Sequence, residues 1–286
     1  MAASGTFAFG REYSSFFSLK LLGGLVTKGI TLRLRPGNPP PRIVETPAGL
    51  LNSVGLQNPG LHGFLQDELP FLQQIGVPII ANIAGETIEE YEALVEGLLP
   101  SGTLAAIELN VSCPNVSKGC LSFGADPRSL YQLVTRIRKL CPLPLIVKLT
   151  PNDIDITEAA RAAEAAGADV LSLINTLKGM VIDIEKKKPF FHLKIAGLSG
   201  PAVRPIAVRM VWDTFKAVKI PLIGMGGITN YADALQFIMA GASAVAVGSA
   251  NFVDPLTIPS IVEGIERYLK EQGYSSPKDL CGIAHQ

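Results

Sequence analysis

The sequence predicts an α/β chain closed into a (β/α)8 barrel, a TIM barrel, and three observations carry that prediction. Short apolar runs alternate with polar loops and Ala/Leu-rich helical stretches along all 286 residues. Seven such runs are present, with the remnant of an eighth at Met1-Ala2-Ala3-Ser4-Gly5. Polar residues gather where the runs end, and barrel active sites are built on that C-terminal face. Strand–helix alternation by itself also admits an open, doubly wound sheet. Seven strands and a remnant favour closure. The length suits a barrel of about 250 residues, so a single domain over residues 1–286 is expected.

The runs fall at 25–28, 79–82, 107–110, 145–148, 170–175, 222–225 and 245–248. Their continuous apolar character is what a parallel strand covered on both faces requires. Between them, Asp126-Pro127 and Asp254-Pro255 each set a capping carboxylate before a proline suited to the first helical position. Helical stretches through Glu158 and Ala232 end at Gly167 and Gly241, residues able to take the left-handed cap that stops a helix. The stretch Arg35-Pro36-Gly37-Asn38-Pro39-Pro40-Pro41 is read as a stiff part of a βα loop, not as a linker.

Composition removes several classes of function. Basic and acidic residues number 25 each and neither sign forms a block, so nucleic acid is not an expected partner. The four cysteines are dispersed, no CxxC occurs and only three histidines are present, so no zinc or iron–sulfur site is expected in this chain. With no secretory leader and no uninterrupted apolar run of about 18 residues, a cytoplasmic protein with reduced thiols and no membrane span is expected.

Lys28, Asn82, Asn110, Lys148 and Asn175 sit at the ends of five runs. One polar strand end is unremarkable. Five amides and ammonium groups converging on one mouth suit a ligand rich in carbonyls and negative charge. Gly226-Gly227 and Gly248-Ser249 end the last two strands, where exposed backbone N–H groups match the phosphate site of many barrels. A cofactor phosphate is the expected occupant. Cys113, in Asn110-Val111-Ser112-Cys113-Pro114-Asn115, lies just beyond a strand end on the same face. Read alone it could be a small buried hydrophobe. Beside Asn and Lys it is a candidate general base, because a thiol near pKa 8.5 can be tuned toward working pH. Cys120, Cys141 and Cys281 lack that setting and are read as structural.

These segments resemble a known family. Gly37-Asn38-Pro39, Leu51-Asn52-Ser53-Val54-Gly55-Leu56-Gln57-Asn58-Pro59-Gly60 and Glu108-Leu109-Asn110-Val111-Ser112-Cys113-Pro114-Asn115 are similar to class 1 dihydroorotate dehydrogenases. So are Val147-Lys148-Leu149, Ile174-Asn175-Thr176, Gly197-Leu198-Ser199-Gly200-Pro201, Ile223-Gly224-Met225-Gly226-Gly227 and Val247-Gly248-Ser249-Ala250-Asn251-Phe252. The Gln-Asn-Pro-Gly run and the segment from Ile223 to Gly227 are most like the NAD-linked branch, class 1B.

The resemblance implies an FMN enzyme that oxidises dihydroorotate to orotate in pyrimidine synthesis. Hydride would pass from C6 to flavin N5, and Cys113 would remove the C5 proton; a serine in that role marks the membrane-bound class. Lys28, Asn52, Ser53, Val54, Gly55, Leu56, Asn110, Asn115, Asn175 and Thr176 would hold the substrate. Ser4, Lys28, Gly29, Asn82, Asn110, Lys148, Ile174 and Gly200 would line the flavin, with Gly226, Gly227, Gly248 and Ser249 on its phosphate. No metal is implied in the chain. FAD and a [2Fe-2S] cluster would belong to a partner subunit, two of which would flank a homodimer core and pass electrons to NAD.

A non-catalytic partner or decayed paralogue is a further reading, against which the full set Lys28, Asn52, Asn110, Cys113, Lys148 and Asn175 argues, and two others fit the residues. One is a dihydropyrimidine-dehydrogenase-like flavoenzyme, and the other a phosphate-binding barrel lyase or isomerase without redox chemistry. The resemblance also places Met1 near the end of the first barrel strand. The N-terminal strand and its floor hairpin are therefore expected to be cut short, leaving a gap in the wall.

Overall fold

The computed structural model describes residues 1–112, 123–152 and 155–286. Seven parallel strands form one sheet in chain order: β1 (Leu25–Val26), β2 (Ile79–Ile83), β3 (Ala106–Asn110), β4 (Leu145–Lys148), β5 (Val170–Leu173), β6 (Leu222–Met225) and β7 (Ala244–Ala246). Each matches one of the seven expected runs. The seam between β7 and β1 is spanned by the first residues, since Ala2 bridges both Leu25 and Val247 in parallel. Ala3 N–H donates to Val247 O at 2.9 Å, and Val26 N–H donates to Ala2 O at 3.2 Å. Ala2 thus makes one bridge to each side of the seam, and the apolar side chains there are covered, with Ala2 and Ala3 both buried.

Period-two alternation divides each strand between two cores. Leu145 and Val147 face the helices together with Ile107, Leu109, Leu171 and Leu173. Ile146 faces inward, where it packs with Val26, Ile80, Ala106 and Ile223 in a small cluster filling the barrel. The same parity, carried one step further along each strand, turns Asn82, Glu108, Asn110, Lys148 and Ser172 inward above that apolar layer. The barrel is apolar below and polar at its mouth because of this parity.

The helices around it begin where side chains can cap them. Asp126 accepts from Ser129 N–H at 2.9 Å and opens the helix Pro127–Leu140. Gly167 and Gly241 take φ of 98° and 118° after their helices, as expected. Asp254-Pro255 differs from expectation. Asp254 ends the short helix Ala250–Val253, and the long helix Thr257–Gln272 starts two residues later than expected, after Leu256. Its carboxylate accepts from Leu256 N–H at 2.9 Å, so it braces the turn between the two helices and does not cap the second.

A second sheet went unread in the sequence. Four antiparallel strands lie in the order Ile43–Thr46, Gly49–Asn52, Ala196–Ser199, Leu177–Gly179. The Pro-rich stretch leads into the first of them and holds a cis Pro40–Pro41 bond. Among the described residues, no helix is long and apolar enough to cross a membrane.

Candidate active site

Asn110, Ser112, Asn175 and Thr176 form one hydrogen-bonded set at the mouth. Asn175, two residues beyond β5, donates from Nδ2 to Asn110 Oδ1 at 3.2 Å and to Ser112 Oγ at 2.8 Å. Its own Oδ1 accepts from Thr176 N–H at 2.8 Å. The second sheet brings Asn52 to this group, because Gly197 pairs with both Asn52 and Lys178. Asn52 Nδ2 donates to Gly197 O at 3.2 Å, and a Cβ on Gly197 would run into the Thr176 side chain. Hydrogen bonds of Ser53 run instead to Asn38 and Arg42, which anchor the loop Ser53-Val54-Gly55-Leu56 as a flap beside Asn52.

A deeper set surrounds Asn82. Its backbone N–H donates to Thr27 Oγ1 at 3.1 Å and its Nδ2 to Glu108 Oε1 at 2.6 Å. Glu108 Oε2 accepts from Ser172 Oγ at 2.7 Å. Asn82 Oδ1 has no hydrogen-bond partner, although the residue is fully buried. An unsatisfied buried acceptor costs about 1–3 kcal/mol, so this oxygen fits an N–H group on a ligand. Gly29 leaves it room, since a Cβ there would stand 3.0 Å from Oδ1 and 3.3 Å from Leu56 Cδ2.

The lysines supply the charge. Lys148 is buried at the end of β4, flanked in register by Asn110 and Ser172. Burial, and then the neighbouring Lys148 charge, push the Lys28 ammonium below the ordinary lysine range. Two cations held together in a desolvated mouth need an anion. Their mutual cost gives a prediction for ligand-free protein. A lowered pKa means the charged lysine opposes folding at every pH below it, and the penalty fades as pH rises toward 10.5. Lys28→Met should therefore raise Tm at pH 7 by about 2–4 °C, an effect of order 1 kcal/mol. The gain should shrink when the melts are repeated near pH 10.

At the opposite side of the mouth the backbone comes close. Gly200 has φ 100° and Gly227 φ 73°. A Cβ on Gly200 would lie 2.5 Å from Gly49 Cα, and one on Gly227 would lie 2.6 Å from Gly200 O. Only glycine fits either place. Ile174, joined to Leu173 by a cis peptide, packs on Gly226, where a Cβ would be 3.5 Å from Ile174 Cγ1. A Cβ on Gly248 would meet open space, and Ser249 leads into the helix Ala250–Val253. Ser4 follows the buried bridge residues and continues into Gly5 on the rim. Cys113 and Asn115 lie outside the described residues.

The family model of dihydroorotate dehydrogenase matches residues 1–269. The chain belongs to the dihydroorotate dehydrogenase family. It is 50% identical over 282 residues to a protein of Geotalea uraniireducens named "Dihydroorotate dehydrogenase B (NAD(+)), catalytic subunit", covering 99% of this chain and 92% of the relative. Proteins of the same name from Caldicellulosiruptor bescii and Thermoanaerobacter pseudethanolicus are 52% and 53% identical over 282 residues, with 99% of this chain and 93% of each relative covered.

Within this dihydroorotate dehydrogenase fold, the sequence reading missed Thr27, Glu108, Ser112 and Ser172. Glu108 carried the clearest available signal, a carboxylate in the middle of the apolar run Ile107-Glu108-Leu109. A charge there must face the barrel interior and find partners.

Proposed function

We propose that this chain oxidises dihydroorotate to orotate in pyrimidine biosynthesis, as one barrel over residues 1–286 with one FMN at its C-terminal mouth. The observation that carries the reading is the unpartnered oxygen of buried Asn82, near the end of a barrel strand in a sheet whose other strands lead to Lys28, Asn110 and Lys148. The glycine-lined approach at Gly200, Gly226, Gly227, Gly248 and Ser249 suits a phosphate at the far end of the same mouth. FMN held by these residues would supply a hydride acceptor for C6 of the substrate.

The side chains divide the remaining work. Asn52, Asn110, Asn115 and Asn175, with Thr176, offer donors and acceptors that suit a ring whose edge alternates N–H and C=O groups. The Ser53–Leu56 loop covers the bound ring and excludes water. Lys28 faces substrate and flavin together, which its charge favours because both carry negative character. Lys148 stabilises charge at the flavin's pyrimidine edge, with Ser4, Gly29, Asn82 and Ile174 lining the rest. Cys113 takes the C5 proton, which the adjacent C4 carbonyl acidifies.

The relatives are named catalytic subunits, and we extend that to this chain. A homodimer core would be flanked by two subunits carrying FAD and a [2Fe-2S] cluster and passing electrons to NAD. Exposed Phe16 and Phe252 line a cavity of about 400 Å³ next to Gly5, which offers such a subunit an apolar footing close to the flavin.

The purified protein should be yellow, with flavin absorbance near about 450 nm. Anaerobic dihydroorotate should bleach that band and dihydrouracil should not. Bleaching by dihydrouracil alone would move the chain to pyrimidine-base reduction. A colourless protein that takes up no flavin would leave a non-redox barrel as the better reading.

A further inference from the structure

Two carboxylates are buried among the described residues, Glu108 and Asp233. Asp233 is ion-paired with Arg204. Glu108, 1% exposed in the middle of β3, accepts from two neutral groups, the Asn82 amide and the Ser172 hydroxyl. A buried charge held only by neutral donors is expensive to keep, and a Gln or Leu would fill the space more cheaply. Its position explains the choice. The bond to Ser172 reaches across β4, the strand that carries Lys148, and Ser172 is itself the register neighbour of Lys148 on β5. The bond to Asn82 also settles which end of that amide points where, because a carboxylate can only accept. With Nδ2 committed to Glu108, the Oδ1 end must be the one left free in the mouth.

We propose that Glu108 is a positioning residue of the flavin site, which orients Asn82 Oδ1 as an acceptor for a flavin N–H and sets a negative charge beneath Lys148. The inference rests on the flavin reading above and names a residue through which that site is tuned. Substrate is not touched by Glu108. Its effect reaches the flavin through Asn82 and through the electric field it adds to that of the lysines.

Three variants separate orientation from charge. Glu108→Gln keeps an acceptor for the Asn82 amide and offers Ser172 Oγ a donor in place of an acceptor, but loses the charge. It should bind FMN, and the flavin midpoint potential, measured anaerobically against a reference dye, should become more positive than in wild type. Glu108→Ala frees the amide to turn, so FMN affinity, read from the fluorescence of released flavin, should fall about tenfold or more. Glu108→Asp keeps the charge with a shorter reach. Its affinity should drop while its potential stays near wild type, which keeps the test open if the glutamine variant does not fold. A side chain that merely fills the barrel would alter thermal stability and leave both readouts unmoved; equal potentials in wild type and Glu108→Gln, or undiminished affinity in Glu108→Asp, overturn the proposal. A wild-type protein that takes up no FMN would instead overturn the functional reading on which it rests.

Discussion

Replacing Cys113 with alanine is expected to leave FMN bound and to cut turnover at neutral pH by about 10²–10⁴-fold, the usual contribution of a positioned general base. Among the described site residues, the Asn52, Asn110 and Asn175 amides are too weakly basic to take the C5 proton. The pH profile should change with it. A thiol ordinarily titrates near 8.5, so the wild-type rate of flavin reduction should climb as pH approaches the thiol's value, whereas the variant's residual rate should follow hydroxide. Anaerobic stopped-flow reduction by dihydroorotate, with flavin content measured alongside, makes the comparison. A variant that turns over at the wild-type rate would remove Cys113 from the role.

The second large effect is expected at Lys148. Lys148→Met keeps the unbranched stem, one atom shorter, at the end of β4 but removes the amino group of a residue that is only 6% exposed. Negative charge builds at the flavin's pyrimidine edge as electrons arrive, and a preorganised charge in a dry site is worth about 10²–10³-fold in rate. Flavin reduction should slow by that factor, and the midpoint potential should become more negative, opposite in sign to Glu108→Gln. KM for dihydroorotate should change far less than kcat, because Lys148 is assigned to the cofactor side. If the loss fell mainly on KM, Lys148 would have to be reassigned to the substrate.

The barrel was readable because fully covered parallel strands leave a blunt signature. Runs such as Leu145-Ile146-Val147-Lys148 are apolar on both faces and end in a functional residue. The outer sheet left no such trace. Leu177-Lys178-Gly179 is exposed at its centre, and Ala196-Gly197-Leu198-Ser199 is short and glycine-containing. Neither shows an alternation strong enough to stand apart from a loop, and the second pairs with residues 145 positions away, as Gly197 with Asn52. Glu108 escaped notice for a different reason. Attention to strand ends finds groups that meet the ligand, while Glu108 stands one layer below, where only the inward parity of β3 exposes its role. Asp254-Pro255 misled because the same two residues serve equally well to brace a turn between helices.

The glycines on the far side of the mouth have a mechanical consequence. Gly49, Gly200 and Gly227 lie against one another main chain to main chain, with no side chain between them to compress or swing aside. Gly49 opens the outer strand that ends in Asn52, and Gly227 follows β6 at the place proposed for the cofactor phosphate. The spacing between the outer strand and the β6 end is therefore gauged by main-chain contact, like a fixed jig, and displacement of the outer sheet would be passed to Gly227 with little damping.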